Sequence, residues 1–221
     1  MIAKQLITEP YIPLNPLDSG AYALSQMEEF GVSHLPVVND TEYLGLISAS
    51  DIQSVNDPDR IIGDCGIKLN RSSISDNQHI YDVIRSFSGL KVTALPVLNS
   101  KGRYLGLITQ STLLQHLDTF AAINFPGGVL VLELNEKDYN LVEIAKIVES
   151  NDNKILSLYV TSFPESTKIE VTLKLDRMDI GPVLQTFFRY NYLVKASWSD
   201  EDSYNQALQE RFDGLMNYLS I

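Results

Sequence analysis

Self-similarity and periodicity assign this chain of 221 residues to the α+β class: two packed β-α repeats followed by a smaller domain of strands and helices. Three features carry that assignment. Residues 34–48 (HLPVVNDTEYLGLIS) recur as residues 94–109 (ALPVLNSKGRYLGLIT), a match too long to arise by chance within one chain. Around each copy the apolar residues switch between helical spacing and short continuous runs. After the breaker Phe125-Pro126-Gly127-Gly128 the pattern becomes strand, helix, strand, strand, helix, strand.

Taken in order, Leu17, Ala21, Leu24, Met27 and Phe30 fall at helical spacing, with Asp18 or Ser19 as the N-cap and Gly31 as the stop. A buried strand, a polar turn at 39–42 and a second apolar strand ending at Ser48 follow, and then a second helix. The next copy has Ile80, Val83, Ile84 and Phe87 on a helix face, with Asp76 as the cap and Gly89 near the end. Its strands flank a turn at 99–103 that is one residue longer. Each unit is about 60 residues and too small to cover both faces of its own sheet. Two copies are therefore expected to pack together around a shared cleft, as repeats at 1–60 and 61–122.

Beyond the breaker, residues 129–134 (VLVLEL) read as a buried strand, and Leu141, Ile144, Ala145, Ile147 and Val148 as a helical face. Residues 155–163 and 168–175 read as a hairpin around the turn at 164–167. Ile180, Val183, Leu184, Phe187 and Phe188 give a second helix and residues 192–198 a last strand, so that a four-stranded ferredoxin-like βαββαβ domain is expected at 127–199. In the tail at 200–221, Tyr204, Leu208, Phe212, Leu215, Met216 and Leu219 form an apolar helical stripe, expected to pack on its own or a sister chain.

Composition narrows the function. Forty-four per cent hydrophobic and 20% charged residues suggest a soluble globular chain, with no apolar run long enough to span a membrane and none of signal-peptide length in MIAKQLITEPY. A formal charge of −11 repels phosphate backbones and argues against nucleic-acid binding. The acidic tail residues Asp200, Glu201, Asp202, Glu210 and Asp213 argue against anionic lipid. A single cysteine, Cys65, agrees with a reducing, cytoplasmic compartment. His34, His79 and His116 are dispersed, and no nucleophile elbow, P-loop or dinucleotide fingerprint is present, so neither an enzyme nor a metal protein is expected.

The informative corner is residues 45–52 (GLISASDI), where a glycine-containing strand ends at Ser48 and a helix begins. Its unpaired N–H groups suit phosphate, and Asp51 one turn later suits the two hydroxyls of a ribose. The same spacing is that of an N-cap with an acidic N3 partner, which needs no ligand.

An apolar residue, Pro-Val, a turn, Leu-Gly-Leu-Ile and then Ser48 or Thr109, with Asp51 three residues on in the first copy, resembles a tandem pair of cystathionine-beta-synthase (CBS) domains over residues 1–118. That resemblance implies an adenine ligand (AMP, ADP, ATP or S-adenosylmethionine) in the inter-repeat cleft. It implies Ser48, Asp51, His34, Pro36 and Val37 in one half-site and Thr109 in the other. It also implies a homodimer associating through helices. Thr112 stands where the family's second Asp would, and Ala94 opposite His34, so one competent site is expected. The corresponding ordinary reading of His34 is a half-exposed surface histidine.

The C-terminal domain resembles an ACT domain, and the arrangement as a whole resembles acetoin-utilisation-type CBS plus ACT proteins. Its loop at 135–140 (NEKDYN) lacks the Pro and Gly that amino-acid-binding ACT domains carry. Sheet-to-sheet dimerisation through Val160, Val171 and their neighbours is therefore kept beside amino-acid sensing. The expected function is a non-catalytic regulatory protein responding to an adenine nucleotide, with no other cofactor. The alternative is a structural module with a vacant cleft.

Overall fold

A computed structural model describes residues 1–7, 12–55, 57–117 and 119–199; the expected tail helix at 200–221 lies outside them. The chain divides into two units, Met1–His116 and Leu117–Ile221. The division precedes the expected boundary at 122 because the 3-10 turn Phe120–Ala122 lies beside a strand of the second unit.

In the first unit α1 (Gly20–Glu29) is capped by Ser19, whose hydroxyl accepts from Tyr22 N, and stops before Gly31 at φ +62. Leu17 falls outside the helix and is 76% exposed, so the buried face is Ala23 and Met27 instead. β1 (His34–Asn39) pairs antiparallel with β2 (Glu42–Ser48), and the one-and-a-half-turn α2 (Ala49–Gln53) follows. The second repeat holds β3 (Ile74–Ser75), α3 (Ile80–Leu90), β4 (Ala94–Leu98), β5 (Tyr104–Thr109) and α4 (Gln110–Leu117). The N-cap of α3 is His79, not Asp76, because its Nδ1 accepts from Tyr81 N. The helix runs past Gly89 to end at Lys91 in the left-handed region.

The duplication persists at the level of register. Both hairpins carry a bulge at the same place, after Val37 and after Val97. A parallel partner lies beside each first strand, Leu14 on Val37 and Ile74 on Val97. The lead-in segments, however, cross over. The 3-10 helix Ala3–Leu6 bonds through Ala3 N and Lys4 N to Gln78 O and Asp76 O, while Ile62–Asp64 bonds back to Asp18 O and Pro16 O. One core cluster runs from Leu14, Leu35 and Ile47 to Ala94 and Leu107, so the repeats share an interior. Burying each such aliphatic side chain contributes about 1.5–3 kcal/mol, which neither 60-residue half could collect alone.

The second unit is β6 (Val129–Asn135), α5 (Leu141–Glu149), β7 (Ile155–Ser162), β8 (Lys168–Leu175), α6 (Gly181–Arg189) and β9 (Leu193–Trp198). The antiparallel sheet has the order β7-β8-β6-β9. Period-two alternation puts Leu130, Leu132, Val171 and Leu173 on one face, under Ile144 and Val148 of α5 and Val183 and Phe187 of α6. Val171 is thus fully buried beneath the helices and cannot make the intermolecular contact the sequence suggested for it. Val160, on the outermost strand, remains 44% exposed.

Candidate functional site

The open end of the β1–β2 hairpin sets His34 directly across from Ser48. Ser48 has extended dihedrals (φ −101, ψ 157) and caps α2. Its hydroxyl accepts from Asp51 N at 3.1 Å and donates to Asp51 Oδ2 at 2.6 Å, while Ser48 N donates to the same oxygen at 3.0 Å. This is a complete capping box. It occupies both lone pairs of Oδ2 and leaves Oδ1 with no hydrogen-bond partner among the described residues. His34, Ser48 and Asp51 are all half-buried, at the border of solvent.

A second set of contacts ties this corner to the other repeat. Thr93 Oγ1 accepts from Ser33 N at 2.8 Å and lies 3.2 Å from His34 Nδ1, and Thr93 N points at the same ring nitrogen from 3.4 Å. Nδ1 therefore acts as acceptor, which places the ring proton on Nε2. Ser33 and Thr93 were not picked out from the sequence, although both carry hydroxyls at equivalent repeat positions just before the self-match.

Burial holds the His34 pKa below its ordinary 6.5, with the Asp51 carboxylate opposing that shift. A ring kept neutral by the fold takes up its proton earlier in the unfolded chain. His34's contribution to stability is thus present above about pH 6.5 and is lost as pH falls from there toward the lowered folded value. Asp51→Asn removes the opposing charge and is expected to lower the His34 pKa further, read by NMR titration of the ring protons. A rise would contradict the electrostatic pairing.

The equivalent corner of the second repeat is closed. Ala94 lies across from Thr109, and Thr109 Oγ1 bonds Thr112 Oγ1 at 3.0 Å and accepts from Thr112 N at 3.1 Å. Thr109 is 1% and Thr112 2% exposed. Of the residues expected to form the site, the structure brings His34, Ser48 and Asp51 together at an accessible corner. Pro36 and Val37 are buried in β1 behind it, with Pro36 O accepting from Leu14 N, and Thr109 faces its own repeat's interior.

In the second unit the loop at 135–140 is largely satisfied by its own groups. Asn135 Nδ2 donates to Asp138 Oδ2, and Tyr192 OH donates to Glu143 at 2.6 Å beside a cavity of about 290 Å³. Among the described residues no cluster of His, Cys, Asp or Glu could hold a metal ion, and no helix is long and apolar enough to cross a membrane.

Residues 3–56 and 71–119 match the CBS domain family model. The chain is 25% identical over 114 residues to the inosine-5'-monophosphate dehydrogenase of Methanocaldococcus jannaschii, covering 51% of this chain and only 23% of that enzyme. Among solved structures it is similar to a CBS domain pair/ACT domain protein from Thermotoga maritima (17% identity, TM-score 0.48, 54% of this chain and 98% of the other). It is also similar to CBSX2 solved in complex with AMP (20% identity, TM-score 0.47, 53% of this chain and 96% of the other).

Proposed function

We propose that the tandem CBS domain pair of residues 3–119 binds one adenine nucleotide and acts as a non-catalytic regulatory module. CBS domain pairs are commonly regulatory and bind adenine nucleotides. The observation that carries the reading is Asp51: a half-buried carboxylate whose Oδ2 is fixed by Ser48 while Oδ1 keeps two lone pairs for the adjacent hydroxyls of a ribose. His34 stands opposite with its Nε2 proton available to a phosphate oxygen. Thr112, buried against Thr109, offers no equivalent acceptor, so a single site follows. The ligand is AMP, ADP, ATP or S-adenosylmethionine, and regulation requires only that it favour one of two arrangements of the pair.

In the same reading the second unit is a ferredoxin-like, ACT-like domain that joins two chains as a homodimer, and the protein is cytoplasmic. The element order βαββαβ and the sheet order β7-β8-β6-β9 support the ferredoxin-like part of this reading. One observation favours a competing reading. The capping box at Ser48 and Asp51 is satisfied without any ligand, as it would be in a structural module with a vacant cleft. A thermal-shift panel separates the two. At a nucleotide concentration one hundred times the dissociation constant, linkage gives about 2.7 kcal/mol of stabilisation. A midpoint that none of the four ligands moves at millimolar concentration would establish the vacant-cleft reading.

A further inference from the structure

We infer that His34 makes the first repeat's corner select its ligand by charge: as pH falls through neutrality the site takes up a proton together with a phosphate-bearing nucleotide and disfavours the cationic sulfonium of S-adenosylmethionine. This rests on the nucleotide reading of that corner and says how the site discriminates among the four ligands. No lysine or arginine occurs between Lys4 and Arg60, whereas acidic residues recur through the same stretch, Asp51 among them. His34 is the one side chain of that stretch that can carry positive charge near neutral pH.

The ring is placed to act as that charge. It is half-buried across from Ser48, and its Nε2 makes no hydrogen bond among the described residues. Burial favours the neutral ring, and Asp51 at the start of α2 is the charged group that opposes it. The other neighbours are uncharged: Ser48 of β2, Thr93 before β4, and Gln110 of α4, whose N–H donates to Thr93 O. Lys91, two residues before Thr93, is exposed at the left-handed end of α3. A phosphate beside Nε2 adds its charge to that of Asp51 and raises the pKa of the ring, so the bound form holds more protons than the free one. By linkage, affinity for a phosphate ligand then rises as pH falls through the interval between the two values, and a sulfonium reverses the sign.

The proton has one place to go. Nε2 already holds the hydrogen of the neutral ring, so the second proton, drawn from solvent, enters at Nδ1, where Thr93 Oγ1 lies at 3.2 Å and Thr93 N–H points in from 3.4 Å. Oγ1 accepts from Ser33 N and keeps a second lone pair for the new Nδ1–H, while Thr93 N–H loses its acceptor. The charge of the ligand is thereby felt at a contact that joins one repeat to the other. Ala94 across from Thr109 offers no counterpart in the second repeat.

The test is calorimetry of the full chain with AMP and S-adenosylmethionine at about pH 8 and about pH 6.5, in buffers of different ionisation enthalpy. AMP affinity is expected to rise several-fold at the lower pH, by at most about tenfold per pH unit for one proton, with net proton uptake, while the preference for AMP over S-adenosylmethionine grows. His34→Gln keeps a donor and an acceptor but no charge, and is expected to lose that rise, leaving only the titration of the AMP phosphate itself. Lys91→Gln is expected to keep it. NMR titration of the His34 ring in the wild-type chain answers the question whether or not the Gln variant folds: saturating AMP is expected to raise the ring pKa. A ring pKa that AMP leaves unmoved, the same pH dependence in wild type and His34→Gln, or S-adenosylmethionine gaining affinity in step with AMP overturns this inference and leaves the nucleotide reading standing. A chain that binds AMP at neither pH overturns both.

Discussion

Asp51→Ala is expected to weaken adenine-nucleotide binding by about 1–3 kcal/mol, roughly 5- to 150-fold, while Thr112→Ala leaves it nearly unchanged. The asymmetry follows from what each side chain already holds. Oδ1 of Asp51 faces the half-buried corner unpaired, whereas the Thr112 hydroxyl is consumed by Thr109 inside the second repeat. Asp51→Ala also removes half of the capping box, which lowers stability by about 0.5–2 kcal/mol irrespective of any ligand. The Asn variant separates the two effects. It keeps an acceptor for Ser48 N but loses the charge, so its cap is largely retained while the ribose hydrogen bonds fall toward the weaker neutral range. Calorimetry on the three variants is expected to rank affinity wild type, Asn, Ala, with Thr112→Ala beside wild type. Equal losses at positions 51 and 112 would contradict a single site.

Gly45→Ala is expected to destabilise the first unit by roughly 2–5 kcal/mol, combining backbone strain with overpacking. Gly45 lies in β2 at φ +151, and a Cβ there would stand 2.5 Å from Leu69 Cβ, on the segment leading into the second repeat. Gly106 is its equivalent in the repeated Leu-Gly-Leu-Ile. A Cβ at Gly106 would meet Ile7 Cγ2 at 2.4 Å, without the positive φ. Each glycine thus lets the crossing lead-in of the other repeat lie directly on its strand. Gly106→Ala is accordingly expected to cost less, about 1–3 kcal/mol, since the end of one side chain can yield. Urea denaturation measures both, and a larger loss at Gly106 would contradict the distinction.

Much of this architecture is legible in the residues. The self-match announces two hairpins of identical grammar, and the bulges after Val37 and Val97 show that the extra residue of the second turn leaves strand pairing intact. Alternation in 168–175 gives β8 its observed bounds because Ile169, Val171, Leu173 and Leu175 are buried on one face while Lys168, Glu170 and Lys174 on the other stay at least partly exposed. The crossing of Ala3–Leu6 and Ile62–Asp64 is not legible, since a lead-in with one buried face looks the same whichever repeat it covers. His79 as a cap is missed because the usual cap residues are short, and a ring nitrogen reaches the same N–H by a longer route. Val171 is misplaced for a related reason: hydrophobicity says that a side chain is buried, not whether its own helices or a sister chain bury it. At the corner, Ser48 and Asp51 are found by spacing, but the Thr93 contact to His34 joins residues 59 apart and emerges only once the repeats are packed.

Isothermal titration calorimetry of the full chain with AMP and ATP counts the sites directly. The expected stoichiometry is one nucleotide per chain, bound about 5- to 150-fold more weakly in Asp51→Ala and with unchanged affinity in Thr112→Ala. Two per chain, or one whose affinity is untouched by removal of the Asp51 carboxylate, would show that the open corner at Ser48 is not where the ligand is held.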